Sequence, residues 1–367
     1  MPERDPLRRC RRIIVKIGSK ALARGATGRR GKTLFDRLAA DIETSLAADP
    51  RRRAVVVSSG AIALGLEPLG LTRRPRSMAK LQAAAATGQS RLMQRWSDAF
   101  ARHGRHVGQV LLTHADLASR ARANNARAAL LELLDLGVVP IVNENDAVAV
   151  DEIRFGDNDA LAAMVSPLCG GDLVILLSDV DGLLDADGAL VHAIVEVDDH
   201  VRSFIAPGTS DLGTGGMASK LEAARRASLS GAHVVIASAD APQVVQRILA
   251  GEIVGTHLHA VPRRLKSRKH WIAYTLRPSG AAVLDAGATR AVVEGGRSAL
   301  CVGILGVRGS FVVGDAISLV DAAGEEIARG LSKLSASEAA RLAGRADDNG
   351  SAVLVHRDDL VLLRPQR

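Results

Sequence analysis

The sequence predicts a parallel α/β domain joined to a smaller β-rich domain, and three observations carry that reading. Apolar strand-like runs alternate with helix-period segments over roughly the first 260 residues, the pattern of a parallel sheet with crossover helices. Polar, chemically versatile residues follow those apolar runs directly, at the carboxyl ends where open α/β sheets hold ligands. Beyond "RPSG", residues 277 to 280, the patterning changes to short alternating segments with frequent glycines.

Taken in order, "RRIIVKIG" reads as a strand entering a glycine turn. Residues 32 to 48 then place Leu34, Phe35, Leu38, Ile42 and Leu46 on one helical face. "RAVVVSSG" is a second buried strand, and "MAKLQAAAATGQSRLMQRW" runs as a helix. "HVGQVLLT" and "GVVPIVN" read as strands with the helix "NARAALLELLDL" between them, and "FGDND" opens another helix. "DLVILLSDVDGL" and "AHVVIAS" add two strands, separated by the helix "KLEAARRASL". "RRLKSRK" carries five Lys or Arg in seven positions and marks a composition shift. "SFVVGDAISLV" and "EEIARGL" are the short alternating strands of the tail. The expected organisation is an α/β domain over 1–262, a basic linker over 263–278 and a β-rich domain over 279–367.

Composition narrows the class. Of 367 residues, 47% are apolar and 24% charged, an ordinary globular balance. No apolar run approaches the ~18 residues of a membrane span. The basic start "RDPLRRCRR" leads into an apolar stretch too short for a secretory h-region, so a cytoplasmic protein is expected. Cys10, Cys169 and Cys301 lie too far apart for a metal knuckle or a disulfide framework. The net charge of +8 would suit a nucleic-acid binder, but aromatics are only 2% of the chain, which disfavours a base-stacking platform. Anionic substrates are a second way to use that charge.

The strand ends hold the chemistry: Lys16, Gly18 and Ser19; Ser58, Ser59 and Gly60; "NEND" at 143–146; "FGDND" at 155–159; and Ser178, Asp179 and Asp181. Five polar clusters at equivalent positions point to one shared site. His257 and His259 in "GTHLHA" read as ordinary strand residues, since no partner spacing accompanies them. There is no cysteine nucleophile beside a histidine, which disfavours acyl transfer through a covalent intermediate. Lysines with glycine-rich turns suit phosphoryl transfer, where the protein positions substrates and neutralises spreading charge. "DLGTGGMASK", 211 to 220, does not match G-x-x-x-x-G-K-[ST]. Its glycines still let backbone approach a phosphate, and the helix after it offers anion-binding amides.

"VKIGSK", "VVVSSGAIALG", "VVPIVNENDAVA", "FGDNDALAA", "LLSDVDGL" and "GTGGMASKLEAA" occur in order at matching separations, and in them the chain resembles the amino-acid kinase family, within it the glutamate 5-kinases. The tail resembles a PUA domain. The resemblance implies a three-layer α/β/α sandwich. It also implies ATP-dependent phosphorylation of L-glutamate to γ-glutamyl phosphate, with Mg²⁺ accompanying ATP and no direct metal ligand assigned. By motif, Lys16 and Lys220 would contact the transferred phosphoryl group and the nucleotide phosphates, and Asp159 would hold both lysines. Ser59, Gly60, Asp146, Asp157 and Asn158 would bind glutamate. Ser178, Asp179, Thr214, Gly215, Gly216, Met217, Ala218 and Ser219 would line the nucleotide. Lys20 departs from the family, which usually has a second hydroxyl there. The family also implies L-proline as a feedback inhibitor, a homotetramer and a hand-off to glutamyl phosphate reductase. Aspartokinase, acetylglutamate kinase and uridylate kinase share the lysines and glycine loops, whereas "SSGAIALG", "NENDAVA" and "GDND" favour the glutamate enzyme. An RNA-binding protein acting through the tail is the alternative from another class.

Overall fold

Six apolar runs expected as strands form the large sheet of the first unit. They are β1 (Arg12–Ile17), β2 (Arg53–Ser58), β3 (Val107–Leu112), β4 (Val139–Glu144), β5 (Leu173–Ser178) and β7 (His233–Ser238). Two short strands, β6 (Ala193–Ile194) and β8 (Thr256–Leu258), complete it in the order β3-β4-β2-β1-β5-β7-β8-β6. The six long strands run parallel, and β8 pairs antiparallel with β7. The structure is a computed structural model describing residues 4–24, 33–149, 158–205, 216–262, 267–345 and 352–363. The chain divides into two compact units, Met1–Arg264 and Leu265–Arg367.

The inner strands are buried on both faces, which is why they read as continuous apolar runs, while the edge strand β3 is only partly covered. Alternation divides each between two cores. Ile13, Val15 and Ile17 of β1 pack in a layer with helices Leu34–Ala47 and Met78–Ala101. Ile14 faces the opposite layer, with helices Arg120–Asp135, Asn158–Cys169 and Met217–Leu229. Sheet and two helical layers make the three-layer sandwich. Strand period two puts Lys16 on the face of Ile14, towards the helices that begin at Asn158 and Met217.

Two glycines explain why "GAIALG" and "ATG" are small. A Cβ on Gly65 would stand 1.8 Å from the Ala84 carbonyl oxygen, and one on Gly88 would stand 1.8 Å from that of Ala61. The helix Ala61–Leu66 thus lies backbone to backbone on Met78–Ala101. That packing holds the loop after β2 against the rest of its layer.

The second unit holds a six-stranded sheet: β9 (Gly280–Leu284), β10 (Ala299–Leu300), β11 (Ile304–Gly309), β12 (Ala316–Val320), β13 (Glu326–Ser332) and β14 (Val353–Leu362), ordered β10-β14-β13-β12-β9-β11. Of "SFVVGDAISLV" only the second half is a strand. Residues 267–275, expected as part of a linker, form a helical turn and a π-helical stretch, Trp271–Thr275. Ile272 and Ala273 are fully buried, and Arg268 pairs with the buried Asp359 of β14.

Candidate active site

The carboxyl end of β1 delivers Lys16, the first turn of Asn158–Cys169 delivers Asp159, and the first turn of Met217–Leu229 delivers Lys220. Lys16 Nζ lies 2.7 Å from one Asp159 oxygen and Lys220 Nζ 3.1 Å from the other. All three are buried, Asp159 completely. Burial alone would raise the Asp159 pKa, but the two ammonium groups outweigh it and hold the carboxyl below its ordinary value. Asp159 is also favoured at a helix start, whereas Lys220 stands at a positive helix end that disfavours a cation. Within the trio, two ammonium groups face one carboxylate. The arrangement therefore suits an added anion.

Beside the trio runs a chain of buried amides. Asn158 Nδ2 has acceptors at Ser58 O (3.1 Å), Ser59 Oγ (2.8 Å) and Asn143 Oδ1 (3.0 Å). Asn143 Nδ2 in turn donates to Gln89 Oε1 at 2.8 Å. Trp96 Nε1 donates to Ser58 Oγ at 2.9 Å, fixing the end of β2 from the helical layer. Gly60 has φ +106, a left-handed conformation that lets the chain turn from β2 into the helix Ala61–Leu66. Asn143 and Gln89 were not singled out from the sequence. Asn143 opens "NEND" at the end of β4, which is signal enough, but Gln89 sits in mid-helix with no motif around it.

Ser178 closes β5, and its Oγ donates to Asp179 Oδ1 at 3.1 Å. Gly216 caps the helix Met217–Leu229 in extended conformation, and Met217, Ala218 and Ser219 form its first turn with Lys220. Ser219 Oγ is buried and has no hydrogen-bond partner among the described residues. Asp146 lies in the turn after β4, partly buried, and Lys20 is exposed in the helix Ser19–Arg24. Asp157, Thr214 and Gly215 lie outside the described residues. The structure thus brings Lys16, Ser59, Asn158, Asp159 and Lys220 together by direct contact or through one shared neighbour.

A sheet with polar groups at its strand ends and two lysines clasping one carboxylate suits a phosphoryl-transfer protein. The family model described as "Amino acid kinase family" matches residues 11–238, and that of the PUA domain matches 280–354. The chain belongs to the amino acid kinase family. Within it the relatives are specific. Glutamate 5-kinase of Myxococcus xanthus is 47% identical, covering 98% of this chain and 98% of its own. Glutamate 5-kinase of Streptomyces coelicolor is 47% identical, covering 99% of each. Among solved structures, carbamate kinase from Giardia lamblia bound to AMP-PNP is 14% identical, with TM-score 0.48, covering 69% of this chain and 99% of that one.

Proposed function

We infer that the protein transfers the terminal phosphoryl group of ATP to the γ-carboxylate of L-glutamate, yielding γ-glutamyl phosphate and ADP, the entry reaction of proline biosynthesis. The observation that carries the mechanism is the buried Lys16–Asp159–Lys220 trio. A γ-carboxylate oxygen attacks the terminal phosphorus while the bond to the bridging oxygen of ADP breaks, so no proton has to move. Charge spreads over the phosphoryl oxygens, and Lys16 and Lys220 stabilise it from two sides. Asp159 keeps both ammonium groups aimed and prevents them from repelling each other.

Ser59, the Gly60 amide and Asn158 suit the α-carboxylate, and Asp146 with Asp157 suits the α-ammonium. Ser178, Asp179 and the segment from Thr214 to Ser219 line the nucleotide in this reading. Ser219 Oγ, buried without a described partner, is an atom that a phosphate oxygen would satisfy. Both Asp159 oxygens face ammonium groups, which disfavours a cation beside that carboxylate. A divalent ion, Mg²⁺ here, would be held by the phosphates of ATP and water. It would help to neutralise the phosphoryl oxygens.

The catalytic domain of this reading is the first unit, and the PUA-like second unit is auxiliary. L-Proline shares glutamate's head group but lacks a γ-carboxylate, which suits a competitive feedback inhibitor at Asp146, Ser59 and Asn158. A cytoplasmic homotetramer handing the labile acyl phosphate to glutamyl phosphate reductase belongs to the same reading. The test is ADP release with glutamate, aspartate, N-acetylglutamate or uridylate as acceptor, with and without RNA. Release should depend on glutamate alone. Equal release with another acceptor would overturn the assignment.

A further inference from the structure

Three histidines meet far from the trio. His233 opens β7, His257 is the middle residue of β8, and His259 follows β8 directly. The antiparallel register pairs Val235 with His257 and Val234 with Leu258, and its continuation sets His259 opposite His233. Residues two apart share a strand face, so all three rings stand on one side of the sheet. His233 Nδ1 and His257 Nε2 are 3.1 Å apart, and one ring nitrogen from each histidine lies within 4.8 Å of the other two. A tetrahedral ion held at roughly 2.0–2.1 Å by each nitrogen would need separations of about 3.3 Å. The closest pair already has that spacing, and a rotation of the partly exposed His259 would close the rest.

Hydrogen bonding among these rings leaves a nitrogen over. His233 Nδ1 accepts the Ala260 N–H at 3.3 Å, so His257 Nε2 must face it as a donor. That tautomer puts the His257 proton on Nε2, the nitrogen that faces His233, so an ion bound there shifts it to Nδ1, which is buried and has no partner among the described residues. With the proton on Nδ1 instead, two lone pairs would meet at 3.1 Å and a donor would be stranded. Burial, then His259, His233 and Arg4, push the His257 pKa down to about 3. Burial first also lowers His233 and His259. Neutral imidazole is the form that binds metals.

We propose that His233, His257 and His259 form a binding site for a divalent transition-metal ion of the zinc class, a clip between β7 and β8. Three imidazoles without a carboxylate or thiolate suit Zn²⁺ and its neighbours and do not suit Mg²⁺ or Ca²⁺. The site lies at the amino end of β7, opposite the end that adjoins the trio, about 16 Å away along the six-residue strand. Its role is therefore to pin the short strand β8 to β7, not to take part in phosphoryl transfer. Arg4 stands behind β8, donating to the carbonyls of Val254 (2.6 Å) and Gly255 (2.9 Å). Its charge opposes a second cation and lowers the affinity that three imidazoles would otherwise give.

Calorimetric titration of zinc chloride into the metal-stripped full-length chain tests this. One ion per chain should bind, raising the thermal midpoint by mass action. His259→Gln, at a partly exposed ring, should keep the fold and weaken binding at least about ten-fold. His257→Asn should do the same, and Co²⁺ should give the visible bands of a tetrahedral nitrogen site that both variants lose. Absence of saturable binding, as when a buried water satisfies His257 Nδ1, would overturn the proposal. So would binding that survives both substitutions.

Discussion

The two ends of the large sheet both carry buried or half-buried charge, yet they use it differently. At the amino ends, arginines close the structure on main-chain carbonyls. Arg12 Nη1 donates to Cys169 O at 2.5 Å, Arg53 Nε to Leu134 O at 2.8 Å and Arg52 Nη1 to Ser45 O at 3.2 Å. Each carbonyl lies in the last turn of a helix, where a cation is favoured by the dipole and orphan oxygens need donors. At the carboxyl ends the charges bind one another, and Lys220 sits where the helix dipole opposes it. Charge placed with the backbone field is scaffolding. Charge placed against it, and paired with the fully buried Asp159, is in the proposed reading where an anion is handled.

The sharpest way to break that contrast is Asp159→Ala. It leaves two buried ammonium groups without their counter-charge, which should cost about 3–5 kcal/mol of stability and abolish turnover. Denaturant unfolding and an ADP-release assay read the two effects. In the intact protein the Asp159 pKa is depressed from its ordinary 3.8. The stability from this trio is therefore fully present above that value and is lost as pH falls below it through the depressed folded pKa. A pH series of unfolding midpoints on wild type and variant should converge in acid.

Lys16→Ala and Lys220→Ala should each lower kcat by about 10² or more while changing the glutamate KM less, because the lost charge acts on the transferring group. Near-normal kcat in either variant would move that lysine to the scaffold side of the comparison. Asn143→Ala should act through Asn158, whose amide it helps orient at 3.0 Å. The expected result is a glutamate KM raised about ten-fold with a smaller change in kcat, measured by steady-state kinetics. At the amino end, Arg53→Ala should cost only about 1 kcal/mol in unfolding free energy and leave kcat unaltered.

Much of this was legible because strand-end residues follow apolar runs that the eye can find. Lys16, Ser59, Ser178 and Asp179 were placed that way, and Asp159 and Lys220 by their position at helix starts. What pairing each residue makes was not legible. That Asp159 divides its two oxygens between lysines 143 and 61 residues away follows from the sheet order, not from either local motif. Gln89 was invisible because only the close packing on Gly65 and Gly88 brings its helix to Asn143. The strand β6 was missed for lack of length, since two residues show no alternation. His257 and His259 read as strand residues because their third neighbour, His233, is 24 positions from His257 in sequence and adjacent only through β7–β8 pairing.

The most direct measurement is trapping the acyl phosphate with hydroxylamine during turnover on ATP and glutamate. The trio acting on a γ-carboxylate predicts γ-glutamyl hydroxamate formed one for one with ADP by the wild-type chain, and at least ~10²-fold slower by Lys220→Ala. ADP released without hydroxamate, or hydroxamate formed at the wild-type rate by that variant, would contradict it.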